Sequence, residues 1–149
     1  MAVNSETVQC TLKDIRNSVH AQCVVCSAEN VQGLHLEYDV TGDSTVQAVF
    51  ECDNVFEGYP GMMHGGIISS ILDGAMGNCM FAQGRATVTV ELTVKFRHPV
   101  VTGQEATVTA RIMRDSHPLY LLEAEIIQGE KVKATANGKY YDQPKLIHS

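Results

Sequence analysis

The 149-residue sequence has no apolar run approaching the roughly 20 residues that a bilayer-spanning helix requires. Its N-terminus, MAVNSETVQCTLKDIRNS, lacks the basic-then-apolar order of a secretory leader. These two absences make a cytoplasmic location, without a membrane partner, the expectation. An excess of positive charge is missing as well. Eleven Lys and Arg face seventeen Asp and Glu, a net charge of −6, which argues against nucleic acid as a general partner. An anionic ligand would have to find its positive contacts locally. No internal repeat or low-complexity segment interrupts the chain, and its length suits one domain able to bury a core.

The five cysteines, Cys10, Cys23, Cys26, Cys52 and Cys79, are an odd number and scattered. Cys79 falls in an apolar helical run, where a buried reduced thiol fits better than a disulfide. The spacing His20-x2-Cys23-x2-Cys26 invites a metal or redox reading. A structural zinc site takes four ligands, however, and no second paired motif is present; Cys10 could complete a set only by an unusual arrangement. No metal is expected.

Residues 1–30 carry weak periodicity, with a short helix expected around Leu12 to His20. LHLEYDV and STVQAVFE, joined by Thr41-Gly42-Asp43, read as a hairpin. A polar loop, CDNVFEGYPGMM, leads into a helix ending near Gln83. After Gly84 the chain turns to strands. ATVTVELTVKFRHP alternates Val88, Val90, Leu92, Val94 and Phe96 against Thr87, Thr89, Glu91, Thr93, Lys95 and Arg97, a period of two. EATVTARIMRD, LYLLEAEIIQ and KVKATANGKYYD follow, punctuated by Gly103, His117-Pro118 and Gly129. Short links between neighbouring runs imply an antiparallel sheet, and one helix against one curled sheet is an α+β arrangement.

The helix carries the chemistry. In MMHGGIISSILDGAMG, Ile67, Ile68, Ile71, Leu72, Ala75 and Cys79 form one broad apolar face. The other face holds Ser69, Ser70, Asp73, Gly74 and Gly77, and Asp73 is the only charged side chain from Gly65 to Gln83. A stripe of small residues permits close approach, so a second subunit is expected to cover it. Gly65 and Gly66 open the helix, where amide N–H groups lack intrahelical partners and can bind an oxyanion. Eight residues of helix span about 12 Å. Gly65 and Asp73 of one chain therefore cannot act on one carbonyl carbon, and two helices paired antiparallel about a two-fold axis would bring each Gly65 toward the other Asp73.

GYPGMMHGGIISSILDGAMG resembles the core motif of hotdog-fold acyl-CoA thioesterases of the PaaI-like, phenylacetate-pathway type, and the likeness covers roughly Val31 to Tyr141. It implies a hotdog domain over 31–149, preceded by an N-terminal extension over 1–30 with its Cys-x2-Cys. It further implies Asp73 as general base or nucleophile, Gly65 as the N–H donor to the thioester carbonyl, His64 as a positioning group, and Thr89 as the hydroxyl that assists the carboxylate. The family builds each site across a dimer interface, and assembly to a tetramer is expected. Two departures stand out: Gly58 where some relatives have asparagine, and Gly74 where many read LDEAMG. Substrate contacts are expected from Gly66, Ser70 and Tyr59, with Lys95, Arg97 and His98 for the phosphates of coenzyme A. Arg85, Arg111, Arg114, Lys131 and Lys133 are rivals for the phosphates. Tyr59, Met62, Met63, Met76 and Met80 are candidates for an acyl pocket. No cofactor is expected beyond acyl-CoA as substrate. The alternatives are a hotdog dehydratase or hydratase, which needs a loop histidine where this chain has Phe56, Tyr59 and Met62, and a non-catalytic acyl-CoA-binding protein.

Overall fold

The computed structural model of the protein describes residues 5–148. The first four residues of the expected N-terminal extension, and Ser149, lie outside them. Helix α1 (Ser5–Val19) is longer than the sequence periodicity indicated. It is followed by strands β1 (Asp39–Gly42) and β2 (Thr45–Glu51), a short 3-10 turn (Asn54–Phe56) and helix α2 (Gly65–Ala82). Strands β3 (Thr87–Phe96), β4 (Glu105–Ser116), β5 (Leu119–Gln128) and β6 (Lys131–Asp142) complete the sheet, and α3 (Lys145–His148) closes the chain. The six strands run in the order β1-β2-β4-β5-β6-β3, antiparallel at every pairing.

The first strand is shorter than expected. Leu34 and Leu36 donate their N–H groups to Val24 and Val25 carbonyls instead of to a β2 ladder. Leu36 and Tyr38 of LHLEYDV are still almost completely buried, and Leu34 and Val40 partly so.

The core lies between α2 and the inner sheet face. Even-numbered positions supply that face: Val46, Ala48 and Phe50 on β2, Val108 and Ala110 on β4, Leu122 and Ile126 on β5, Ala134 and Ala136 on β6. Ile71, Leu72, Ala75, Met76, Cys79 and Met80 of α2 are fully buried against them, each large side chain contributing about 1.5–3 kcal/mol. Both ends of α2 are closed by sequence. His64 is the N-cap, in extended conformation, with its side chain accepting from the Gly66 N–H. At the other end Gly84 takes φ +78, while the N–H groups of Gly84 and Arg85 reach back to the carbonyls of Phe81 and Met80. This is the glycine-terminated cap that returns the chain to the sheet.

β3 departs from simple alternation. Its pairing with β6 runs Thr89↔Tyr140 and then Glu91↔Lys139, leaving Val90 as an extra residue. Such a bulge reverses which side chains face inward. After it, Leu92, Val94 and Phe96 pair with Gly138, Ala136 and Ala134 on the inner face. Before it, the inward residue is Thr89, while Val88 and Val90 are exposed. The valines and Leu92, Val94 and Phe96, one face by sequence alternation, are thus split between two faces.

Candidate active site

Asp73 sits at the middle of α2, half-buried, and its carboxylate is held at one oxygen. Oδ1 accepts the Thr89 hydroxyl at 2.8 Å and the Tyr140 hydroxyl at 2.7 Å. Thr89 reaches it because the Val90 bulge turns the start of β3 toward the helix. Tyr140 reaches it from β6, directly across the ladder from Thr89. Oδ2 has no hydrogen-bond partner among the described residues. Two neutral donors on one oxygen fix the carboxylate plane and leave the other oxygen free to accept a proton or attack carbon.

Tyr140 was not singled out from sequence. It is buried, and its phenol is pushed well above the usual tyrosine range by burial first and by the Asp73 charge second. It therefore stays a donor at any ordinary pH. The one local signal is Gly138. A Cβ there would lie 2.4 Å from Tyr140 Cε2, so glycine is what lets the ring lie flat over its own strand. Tyr38, also buried, donates its hydroxyl to the Ile71 carbonyl at 3.0 Å, two residues before Asp73.

The entrance of α2 differs from the expectation of two free donors. The Gly66 N–H is taken by His64 Nδ1 at 2.9 Å. Gly65, the first helical residue, keeps an N–H with no intrahelical carbonyl to reach. One donor, not a pair, is available. The same bond settles the tautomer: a neutral His64 whose Nδ1 accepts must carry its proton on Nε2. Ser69 and Ser70 hydroxyls turn back to the carbonyls of Gly65 and Gly66, both at 2.9 Å, which satisfies them within the helix.

Both departures from the motif have a local cause. A Cβ on Gly74 would lie 2.6 Å from Val25 Cγ1 and 3.1 Å from the Tyr38 hydroxyl. The small-residue stripe is thus partly covered by the chain's own N-terminal segment, a correction to the idea that another subunit covers all of it. A Cβ on Gly77 would meet nothing within 4 Å among the described residues outside its own helix backbone. A Cβ on Gly58 would approach His64 Cα and Cδ2 at 3.3 Å, so the glycine lets the loop pack tightly on the imidazole.

The remaining candidates are spread out. Met63, Met76 and Met80 are buried in the core, whereas Tyr59 is 78% exposed. Phe96 stands at the α2 entrance, 3.5 Å from where a Gly65 Cβ would be, and is 56% exposed. Lys95, Arg97 and His98 are exposed. Arg97 lines a 490 Å³ hollow with Arg111, Glu123 and Glu125; these odd-numbered positions lie on the sheet face away from α2. Two rivals are already paired, Arg85 with Asp142 at 3.0 Å and Arg111 with Glu123. Within one chain, then, Asp73, Thr89 and Tyr140 form one cluster and His64, Gly65 and Phe96 a second.

A long helix laid across an antiparallel sheet, with a carboxylate held at its middle and a glycine N–H at its start, is the hotdog class of fold. Residues 60–135, just over half of the chain, match the model of the Thioesterase superfamily, and the chain belongs to that family. The acyl-coenzyme A thioesterase THEM4 of Bos taurus is 31% identical over 117 residues, covering 76% of this chain. The chain spans only 43% of the length of that relative. The E. coli PaaI protein from the phenylacetic acid degradation operon has the same fold, with a TM-score of 0.73 at 21% identity over 89% of this chain and 96% of that one. A Streptococcus mutans protein solved bound to acetyl CoA matches at TM-score 0.68 and 17% identity, over 72% of this chain and 88% of that one. No helix among the described residues is long and apolar enough to cross a membrane.

Proposed function

We propose that the protein hydrolyses an acyl-CoA thioester to a free acid and CoA. The observation that carries this reading is the carboxylate of Asp73, anchored through Oδ1 by Thr89 and Tyr140 with Oδ2 unengaged among the described residues. In the general-base form, Oδ2 takes a proton from water as the water oxygen attacks the thioester carbon. The C–S bond then breaks and the proton passes to the leaving thiolate. In the nucleophilic form, Oδ2 attacks the carbon itself and the C–S bond breaks to release the CoA thiolate. Water then hydrolyses the mixed anhydride, freeing the acid and the Asp73 carboxylate and supplying the proton that the thiolate takes up. The Gly65 N–H, with the helix dipole behind it, stabilises the developing oxyanion. His64, donating from Nε2, positions the thioester or the water.

A separation of about 12 Å along one helix between Gly65 and Asp73 supports a site whose two halves come from different chains. The protein therefore acts as a homodimer, with a tetramer as its further assembly. β3 ends the sheet order, and its exposed Val88 and Val90 support an interface on that side. Lys95, Arg97 and His98 are the cations offered to the CoA phosphates. The acetyl CoA bound to the S. mutans relative supports this substrate class, and a cytoplasmic location fits it.

Release of free thiol from a panel of acyl-CoAs, read with a thiol-reactive dye, tests the proposal. Turnover is expected with the wild type, and Asp73→Asn should lose at least about 10²-fold. Binding without thiol release, or full activity in Asp73→Asn, would overturn it.

A further inference from the structure

A second group of reactive side chains lies outside this site. His20, Cys23 and Cys26 follow α1, and their ligand-capable atoms all lie within 4.8 Å of one another. His20 Nδ1 is 3.7 Å from Cys26 Sγ. Nitrogen and sulfur on a tetrahedral zinc stand about 3.5 Å apart, given bond lengths of about 2.0 and 2.3 Å. The surroundings also suit thiolates. Cys23 Sγ accepts from the N–H groups of Val25 and Cys26 at 3.3 and 3.5 Å. Asn78 of α2, 1% exposed, donates its Nδ2 to the Gly74 carbonyl at 2.9 Å, while its Oδ1 is buried without a partner among the described residues. The His20 ring is held edge-on against Phe81 of α2, centroids 4.8 Å apart.

We propose that His20 Nδ1, Cys23 Sγ and Cys26 Sγ bind one thiolate-preferring divalent ion of the zinc class, with water in the fourth position. A divalent ion with two thiolates and a neutral imidazole has no net charge, which is compatible with the burial of Cys26. Sulfur ligands disfavour magnesium and calcium. The expectation of no metal rested on the missing fourth protein ligand, and three protein ligands with a water is an established zinc coordination.

The ion would act on the segment between α1 and β1. Val25 lies between the two cysteines and packs on Gly74, next to Asp73. Loading the site would fasten that segment to α2, where His20 meets Phe81 and Val25 meets Gly74.

The test is titration of the reduced, metal-free full chain with Co(II) under anaerobic conditions. One equivalent should produce thiolate-to-cobalt charge-transfer absorption and tetrahedral ligand-field bands, bleached by Zn(II), and Zn(II) should raise Tm. Cys26→Ser should lower the thiolate band by about half or more, and His20→Ala should weaken affinity by about 10-fold or more. Absence of the charge-transfer band in the folded reduced wild type would overturn the proposal. So would uptake unchanged in His20→Ala and Cys23→Ser, or a Cys23–Cys26 disulfide as the resting form with no metal uptake after reduction. Should Cys26→Ser not fold, the wild-type spectrum and the half-buried His20 variant still decide.

Discussion

The first turn of α2 offers a donor at the surface, whereas the middle of the same helix offers an acceptor held inside the fold. At the entrance, His64 and the Gly65 N–H are set by residues adjacent in sequence, and the cap bond from Gly66 to His64 Nδ1 is complete within three residues. At the middle, Asp73 depends on Thr89, 16 residues away, and on Tyr140, 67 residues away. A local motif can make a donor because helix ends leave N–H groups unpaired by construction. A half-buried carboxylate with one committed oxygen needs partners from a sheet, and only tertiary structure supplies them. Loss of function should therefore arise at the entrance without loss of stability, while the middle couples the two.

The largest separation of the two should come from Gly65→Pro. Proline at the first helical position has no N–H to lose from the helix, and His64 already holds the extended backbone that precedes proline well. A Cβ there meets only Phe96, at 3.5 Å. Thiol release should fall by about 10²–10³-fold, as for loss of an oxyanion donor, with Tm unchanged or raised. Equal losses in Tm and turnover would erase the distinction.

At the middle, Tyr140→Phe removes one donor to a charged oxygen. A bond of that type is worth about 1.5–3 kcal/mol, so turnover should drop by about 10-fold or more. Gly138→Ala should do at least as much without touching the hydroxyl, because its methyl would displace the ring. A fully active Gly138→Ala would mean that the Tyr140 contact does not govern Asp73.

The smallest effect is on stability and pH. Burial pushes the Cys52 thiol up to about 11 and the Cys79 thiol up to about 12, and it raises the Tyr38 and Tyr140 phenols well above their ordinary 10.0. Each is a raised folded-state value, so its contribution is intact below the unfolded-state value and is lost as pH rises beyond it. Tm should be level near neutrality, decline past about pH 9 as unfolded thiols ionise, and fall more steeply past about pH 10. Differential scanning at stepped pH reads this directly. The entrance of α2 carries no such group, so Gly65→Pro should leave the profile's shape alone.

The same contrast explains what could be read from the sequence. The helix bounds, the order of the later strands, the antiparallel pairing and the family were all legible, because apolar periodicity and the HGG…D motif are local patterns. Tyr140 was not, since it sits beside exposed Tyr141 in a strand whose inward phase is set by pairing. Gly138, two residues before it, was the available clue. The Val90 bulge was hidden because TVTVELTVKF alternates perfectly in sequence while the ladder does not. The role of Val25 over Gly74 needed the path of the N-terminal segment, which weak periodicity did not give.

The cross-chain site is the claim on which the rest depends. Co-expression of differently tagged Asp73→Asn and Gly65→Pro chains, followed by purification of the mixed dimer, tests it by thiol release. Each parent carries a defect in both of its sites. If Gly65 of one chain serves Asp73 of the other, the mixed dimer has one intact site and should recover about half of wild-type turnover. A mixed dimer as inactive as its parents would contradict the cross-chain site.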